Sequence, residues 1–224
     1  MLLRLIAAIA ISLPLVSFGQ DPTEPESLYR IARFLLVPDS DSDEITRGLG
    51  YLKRAADGGY EPATRNYARR LASGDGVSKD EIAGRRYYQL AAAKGDPASR
   101  LALAWMYQDG LGGDKDEIAA FQLRSSVAAT GDPNAQYALG YSFLAGVGTE
   151  RNPDTAAFWF RLAAEQGHTA AQSGLATLYR VGRGLPQDRE QAIYWYQQAA
   201  KQGDRQAAKA VAELEAQEKS HSDL

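Results

Sequence analysis

Two histidines, three recurring aspartates, a series of paired glycines and scattered arginines and aromatics are what this sequence offers for chemistry. His168 directly follows a glycine at a helix start and reads as an exposed turn residue, while His221 sits in a polar tail; together they cannot build a histidine metal site. There is no cysteine, which excludes disulfides, iron–sulfur clusters and thiol catalysis. Asp80, Asp116 and Asp188 lie whole multiples of 36 residues apart. On stacked helices that places them about 9–10 Å or more from each other, which suits helix caps better than an acid–base pair. No Gly-x-Ser-x-Gly nucleophile elbow occurs. The glycine pairs, such as Gly146 and Gly148, have no following Lys-Ser or Lys-Thr and no preceding strand, so they are not a phosphate loop. Neither catalysis nor a metal or cofactor is expected. A hydrolase acting on cell-wall material is the rival class, suggested by the expected compartment alone.

The elements that would position these residues follow from a repeat. Gly59, Gly95, Gly131, Gly167 and Gly203 stand at steps of 36 with no insertion. Counting from each glycine, position 4 carries Ala63, Ser99, Ala135, Ala171 and Ala207. Position 8 carries Tyr67, Leu103, Leu139, Leu175 and Val211, and position 12 carries Leu71, Tyr107, Phe143 and Tyr179. This small–apolar–aromatic series is one stripe of a helix. Paired glycines then end the helix, because glycine reaches positive φ without a side-chain clash. Asp80, Asp116, Asn152 and Asp188 mark the start of a second helix. Tyr87, Leu123, Trp159 and Trp195, with the small pairs that close each unit (Ala163 and Ala164, for example), are expected to supply its buried stripe. Each helix pair has an apolar side that it cannot cover alone, and stacking covers it.

The expected organisation is a leader at 1–19 and an all-α solenoid over 20–218. The solenoid has a degenerate unit at about 23–58 and full units at 59–94, 95–130, 131–166 and 167–202. A capping helix at 203–218 and a disordered tail at 219–224 complete it, with about eleven helices in all. The leader reading rests on a basic start ending at Arg4, an apolar run over 5–16 and small residues at Ser17 and Gly19. Pro14 interrupts the run and no basic stop-transfer segment follows, so a membrane anchor fits less well. The expected compartment is the bacterial periplasm, after cleavage near Gly19. The net charge of −3, or −4 once Arg4 is removed, argues against a nucleic-acid partner.

The columns resemble the Sel-one-like repeat (SLR) family, relatives of the tetratricopeptide repeats. The nearest unit runs from Ala135 through Leu139, Gly140, Phe143, Gly146 and Gly148 to Ala156, Trp159, Ala163, Ala164 and Gly167. The following unit agrees through Leu175, Tyr179, Gly182, Gly184, Asp188, Ala192, Trp195, Tyr196, Ala199 and Ala200. The resemblance covers nearly the whole chain after the leader. It implies a right-handed superhelix of antiparallel helix pairs that acts as an adaptor or scaffold. Departures are Ser99 for alanine, Leu123-Arg124 for the aromatic pair, and the glycine-free loop at 37–42.

The resemblance further implies that the first helix of each pair lines a concave face. Positions 6 and 10 on that helix, one turn apart, are Tyr29 and Arg33, Arg65 and Arg69, Leu101 and Trp105, Tyr137 and Tyr141, then Ser173 and Thr177. These are the candidate contacts for a protein or peptide partner. Trp105, Tyr137 and Tyr141 are not required by the repeat columns, and Arg65 and Arg69 could pair with a peptide carboxylate. Trp105 and Tyr141 could equally pack on the next repeat. A monomer is expected. The rival to a groove is an assembly factor that binds through its convex face or its end.

Overall fold

A computed structural model describes residues 23–222, with side chains through residue 217; the expected leader at 1–19 lies outside the described residues. Eleven α-helices and no strand occur among the described residues. They are α1 (Pro25–Leu35), α2 (Ser42–Asp57), α3 (Glu61–Ser73), α4 (Glu81–Ala93), α5 (Pro97–Asp109), α6 (Glu117–Ala128), α7 (Pro133–Ala145), α8 (Pro153–Glu165), α9 (Thr169–Val181), α10 (Arg189–Lys201) and α11 (Arg205–Ser222). This is the expected all-α repeat of helix pairs. The last helix continues to Ser222, past the expected boundary at 218. The chain divides into two compact units that part between Asp114 and Lys115, inside the loop of the unit at 95–130.

Local chemistry sets the helix ends. At the starts of the second helices, Asp80, Asp116, Asn152 and Asp188 each accept the N–H of the residue three further on, at 2.8–3.0 Å. The recurring acids are therefore caps. The first helices end at Gly74, Gly110, Gly146 and Gly182, all left-handed. The second glycine of each loop has a separate duty. Gly148, at φ 71°, lies so close to the Glu117 carbonyl that a Cβ would collide with it, and Gly112 meets the Glu81 carbonyl in the same way. The loops at Gly112, Gly148 and Gly184 thus dock on the start of the preceding unit's second helix, while Gly76 lies against the Arg70 and Leu49 side chains. The degenerate unit lacks this loop. Asp41 and Glu44 form a capping box there, which starts α2 without glycine.

The core is built from alanines and a few large side chains. Leu28, Ala32, Leu52, Ala55, Ala56 and Ala63 form it in the first unit. In the second unit Phe160, Ala163, Ala171, Leu175 and Leu178 form one cluster, and Ala192, Tyr196, Ala199 and Leu214 another. One expectation changes. The buried column of the second helices is one residue later than the aromatic column read from the sequence. Tyr88, Arg124, Phe160 and Tyr196 are buried, while Tyr87, Leu123, Trp159 and Trp195 are half-buried. Adjacent helical residues point about 100° apart, so the stacking geometry decides which of two neighbouring aromatics goes inside.

Arg124 occupies that buried column, where it donates to Ser142 Oγ at 3.1 Å. Arg85, also buried, donates to the Asp114 carbonyl and lies 4.2 Å over the Tyr107 ring.

Candidate functional site

The first helices carry all ten candidate residues, and their structural settings differ sharply. Position 6 reaches the cap of the next first helix, 31 residues on. Tyr29 lies against Tyr60, ring centroids 5.3 Å apart. Arg65 Nη1 donates to Asp96 Oδ1 at 2.5 Å. Tyr137 stacks on His168 at 4.8 Å and on Phe160 at 5.5 Å. The Ser173 hydroxyl donates to Asp204 at 2.6 Å. Leu101 is half-buried. Tyr29, Arg65, Tyr137 and Ser173 therefore help fix one repeat on the next.

Position 10 faces outward. Arg33 and Arg69 are exposed, and Trp105 and Tyr141 keep 52% and 49% of their surface in solvent. Thr177 is the exception, half-buried and hydrogen-bonded to Tyr196 Oη at 2.8 Å. A half-exposed tryptophan adds little to a core, so Trp105 remains available for contact.

His168 is not an exposed turn residue. It caps α9: its Nδ1 accepts the Ala171 N–H at 3.1 Å, and the ring is half-buried against Tyr137. Burial lowers its pKa from the ordinary value, against a weaker opposing pull from its own backbone and Asp132.

Three of the candidates come together. Tyr29 on α1 and Arg65 and Arg69 on α3 line a cleft of about 260 Å³, completed by Asn66 and by Tyr88 from α4. Its remaining walls are Pro62, Ala98 and Ala102, so no acidic side chain lines it. Behind the cleft sits Asp96, its side chain 3% exposed. Asp96 Oδ2 takes the Ser99 N–H at 2.8 Å and the Ser99 hydroxyl at 2.5 Å, and Oδ1 takes Arg65. Burial pushes this carboxyl up, but the Ser99 hydrogen bonds and the Arg65 charge outweigh that and hold it below its usual range. Serine in place of the repeat's alanine at position 99 is thereby explained. Arg65 also lies 3.7 Å from Glu61, and Arg69 lies 3.4 Å from Asp75.

A second set of inter-repeat links has no counterpart in the sequence reading. Gln166 Nε2 donates to the Gly131 carbonyl and Gln136 Oε1, and Gln202 does the same to Gly167 and Gln172. Lys94 reaches the Gly59 carbonyl. The 36-residue spacing of Gln166 from Gln202, and of Gln136 from Gln172, is the signal that could have revealed it.

The Sel1 repeat family profile matches residues 25–60, 62–96, 97–123, 133–168 and 169–204. The third match stops at the residue before Arg124, where the chain departs from the aromatic pattern. A Sel1 repeat protein from Oxalobacter formigenes aligns with a TM-score of 0.76 at 25% identity, covering 84% of this chain and 75% of that one. A protective antigen of uropathogenic Escherichia coli strains with an SLR fold aligns with a TM-score of 0.51 at 25% identity. That match covers 84% of this chain and 48% of the antigen, so this chain spans about half of it. An immunity protein from Pseudomonas aeruginosa aligns at 0.50 and 25% identity, over 88% of this chain and 70% of that one. No curated protein matches the sequence.

Proposed function

The chain belongs to the Sel1 repeat family, whose members generally mediate protein–protein interaction as scaffolds, and from that premise we propose that it is a secreted adaptor that binds a protein or peptide through its first helices. The observation that carries this reading is the exposure of Trp105 and Tyr141, large aromatics on first helices that stay half in solvent. Buried in a partner, each could contribute about 2 kcal/mol or more. The binding surface is the concave face of the repeat, the chain acts as a monomer, and it is exported to the bacterial periplasm by the segment ending at Gly19. It is a scaffold and not a catalyst: the recurring acids cap helices. Among the described residues no helix is long and apolar enough to cross a membrane.

The test is capture of a partner from periplasmic extract by the wild type and by the Trp105→Ala, Tyr141→Ala double variant. The double variant should keep its thermal stability and lose the partner. A collapse of stability with no loss of partner would overturn the groove. A mature chain that still begins at Met1, read by mass spectrometry, would overturn export. Release of soluble fragments from peptidoglycan would overturn the non-catalytic reading.

A second surface has its own support. Phe158 on α8 and Tyr194 on α10 are 56% and 49% exposed on second helices, as an assembly factor binding through its convex face requires. Cross-links that map to these two residues and spare Trp105 would favour that face.

A further inference from the structure

We propose that the cleft walled by Tyr29, Arg65, Asn66, Arg69 and Tyr88 takes the C-terminal carboxylate of a partner's peptide chain. This rests on the scaffold reading and deepens it by naming the chemistry that one part of the surface recognises.

Donors outnumber acceptors in this cleft. Arg65 uses a single nitrogen, Nη1, for both Asp96 and Glu61. A guanidinium carries five N–H groups in a rigid fork, and among the described residues nothing accepts from its Nη2 or Nε. Asn66 accepts from Arg70 through Oδ1, and no described residue accepts from its amide nitrogen. Tyr88 is 8% exposed and lines the cleft with a phenol that meets no described acceptor. Burial raises the Tyr88 pKa, with Arg69 and Arg65 pulling the other way, so at neutral pH the phenol holds its proton and can donate it. An acceptor that enters the cleft completes this phenol's hydrogen bonding.

The position of Arg65 is set before any ligand arrives. Asp96 is buried, bonded to Ser99 and fixed at the start of α5. It holds one edge of the guanidinium and leaves the others toward the cleft, which lowers the ordering cost of binding. The binding of a carboxylate by such a fork is bidentate and charge-assisted.

Size and lining select a chain end. Sites for drug-sized ligands run about 300–1,000 Å³, and this cleft is about 260 Å³. Pro62, Ala98 and Ala102 leave a small apolar wall for the last side chain. No acidic residue lines the cleft, and the carboxylates nearest its arginines, Asp96, Glu61 and Asp75, are each already paired with one of them.

The probe is N-acetyl-alanyl-alanine, titrated into the full chain carrying ¹⁵N-arginine, with its C-terminal amide and inorganic phosphate as the other arms. The free acid should shift the Arg65 Nε–H signal saturably in the millimolar range, and the amide should not. Tyr88→Phe should weaken that response about tenfold, the loss expected for one hydrogen bond to a charged group, with an unchanged circular dichroism spectrum. Arg65→Lys keeps the charge and removes the fork, and should weaken it at least as much. Equal shifts with acid and amide, no saturable shift with the acid, or tighter saturation by phosphate would each overturn the proposal. Trp105→Ala separates the two ideas: its acid response should be intact whatever happens to partner capture. In the wild-type chain, a missing acid response beside intact capture sinks the cleft alone, and an intact acid response beside absent capture sinks the wider groove.

Discussion

Asp96 serves two repeats at once: Oδ2 caps α5 through Ser99, and Oδ1 holds Arg65 of the preceding unit at 2.5 Å. The same relation, between a position-6 side chain and a cap 31 residues on, recurs as Tyr29 with Tyr60, Tyr137 with His168 and Ser173 with Asp204. The residue types change and the contact persists. A solenoid held by nearest-neighbour terms needs some such link at every step.

Removing that link at Asp96 should be costly. Asp96→Ala loses a cap, worth about 1 kcal/mol, and buried charge-assisted hydrogen bonds. The expected total is about 2–3 kcal/mol in urea denaturation. Arg65→Ala should cost less than about 1 kcal/mol, because its side chain is 41% exposed and solvent screens the pair. The Asp96 carboxyl is held below its ordinary 3.8. Its contribution is therefore present above that pH and disappears as pH falls through the lowered value. Equal costs for the two variants would show that the Ser99 bonds of the cap add nothing beyond the Arg65 pair.

His168 makes its own repeat link sensitive to pH. Nδ1 can accept from Ala171 only when unprotonated, and burial lowers its pKa below the ordinary 6.5. Between that lowered value and 6.5 the unfolded chain binds the proton and the folded chain does not. Stability from neutral His168 is thus complete above 6.5 and falls as pH drops through that window. His168→Asn keeps a capping oxygen and cannot titrate. Melting temperatures at pH 8 and pH 5 should show wild type losing ground to the variant at the lower pH. A constant difference at both would remove the histidine from the account.

Helix ends were legible in the sequence because their causes are local. Asp80, Asp116, Asn152 and Asp188 cap the helices whose starts they mark, and Gly74, Gly110, Gly146 and Gly182 end the preceding ones. Burial of Tyr88 over Tyr87, or of Phe160 over Trp159, was not legible, because the rotation of each helix is set by its neighbours. The site was legible in part. Tyr29, Arg65 and Arg69 do share a cleft, but Tyr88 reaches it from a second helix. Ser173 was read as a surface residue because its partner, Asp204, lies in the next unit and no residue type recurs to announce the pair.

The loop glycines allow a direct comparison with a helical one. Gly148→Ala faces both a positive φ and the Glu117 carbonyl, and should cost at least about 1–3 kcal/mol. Gly50, inside α2, has nothing within 4 Å of its would-be Cβ. Gly50→Ala should stabilise by about 0.5–1 kcal/mol through helix propensity. Chemical denaturation of the two variants should therefore move in opposite directions. Movement in the same direction would mean that the loop does not dock on α6 as described.

The tightest test of the stacking register is overpacking. Ala163 on α8 and Ala199 on α10 occupy the same repeat position and are both fully buried. Their neighbours differ: Ala163 packs with Phe160 and Leu175, and Ala199 with Tyr196 and Leu214. Leucine at either position adds three carbons where the helices approach most closely, and should cost about 1–3 kcal/mol. Thermal melts of the two variants measure this directly, and a neutral outcome at both positions would contradict the register.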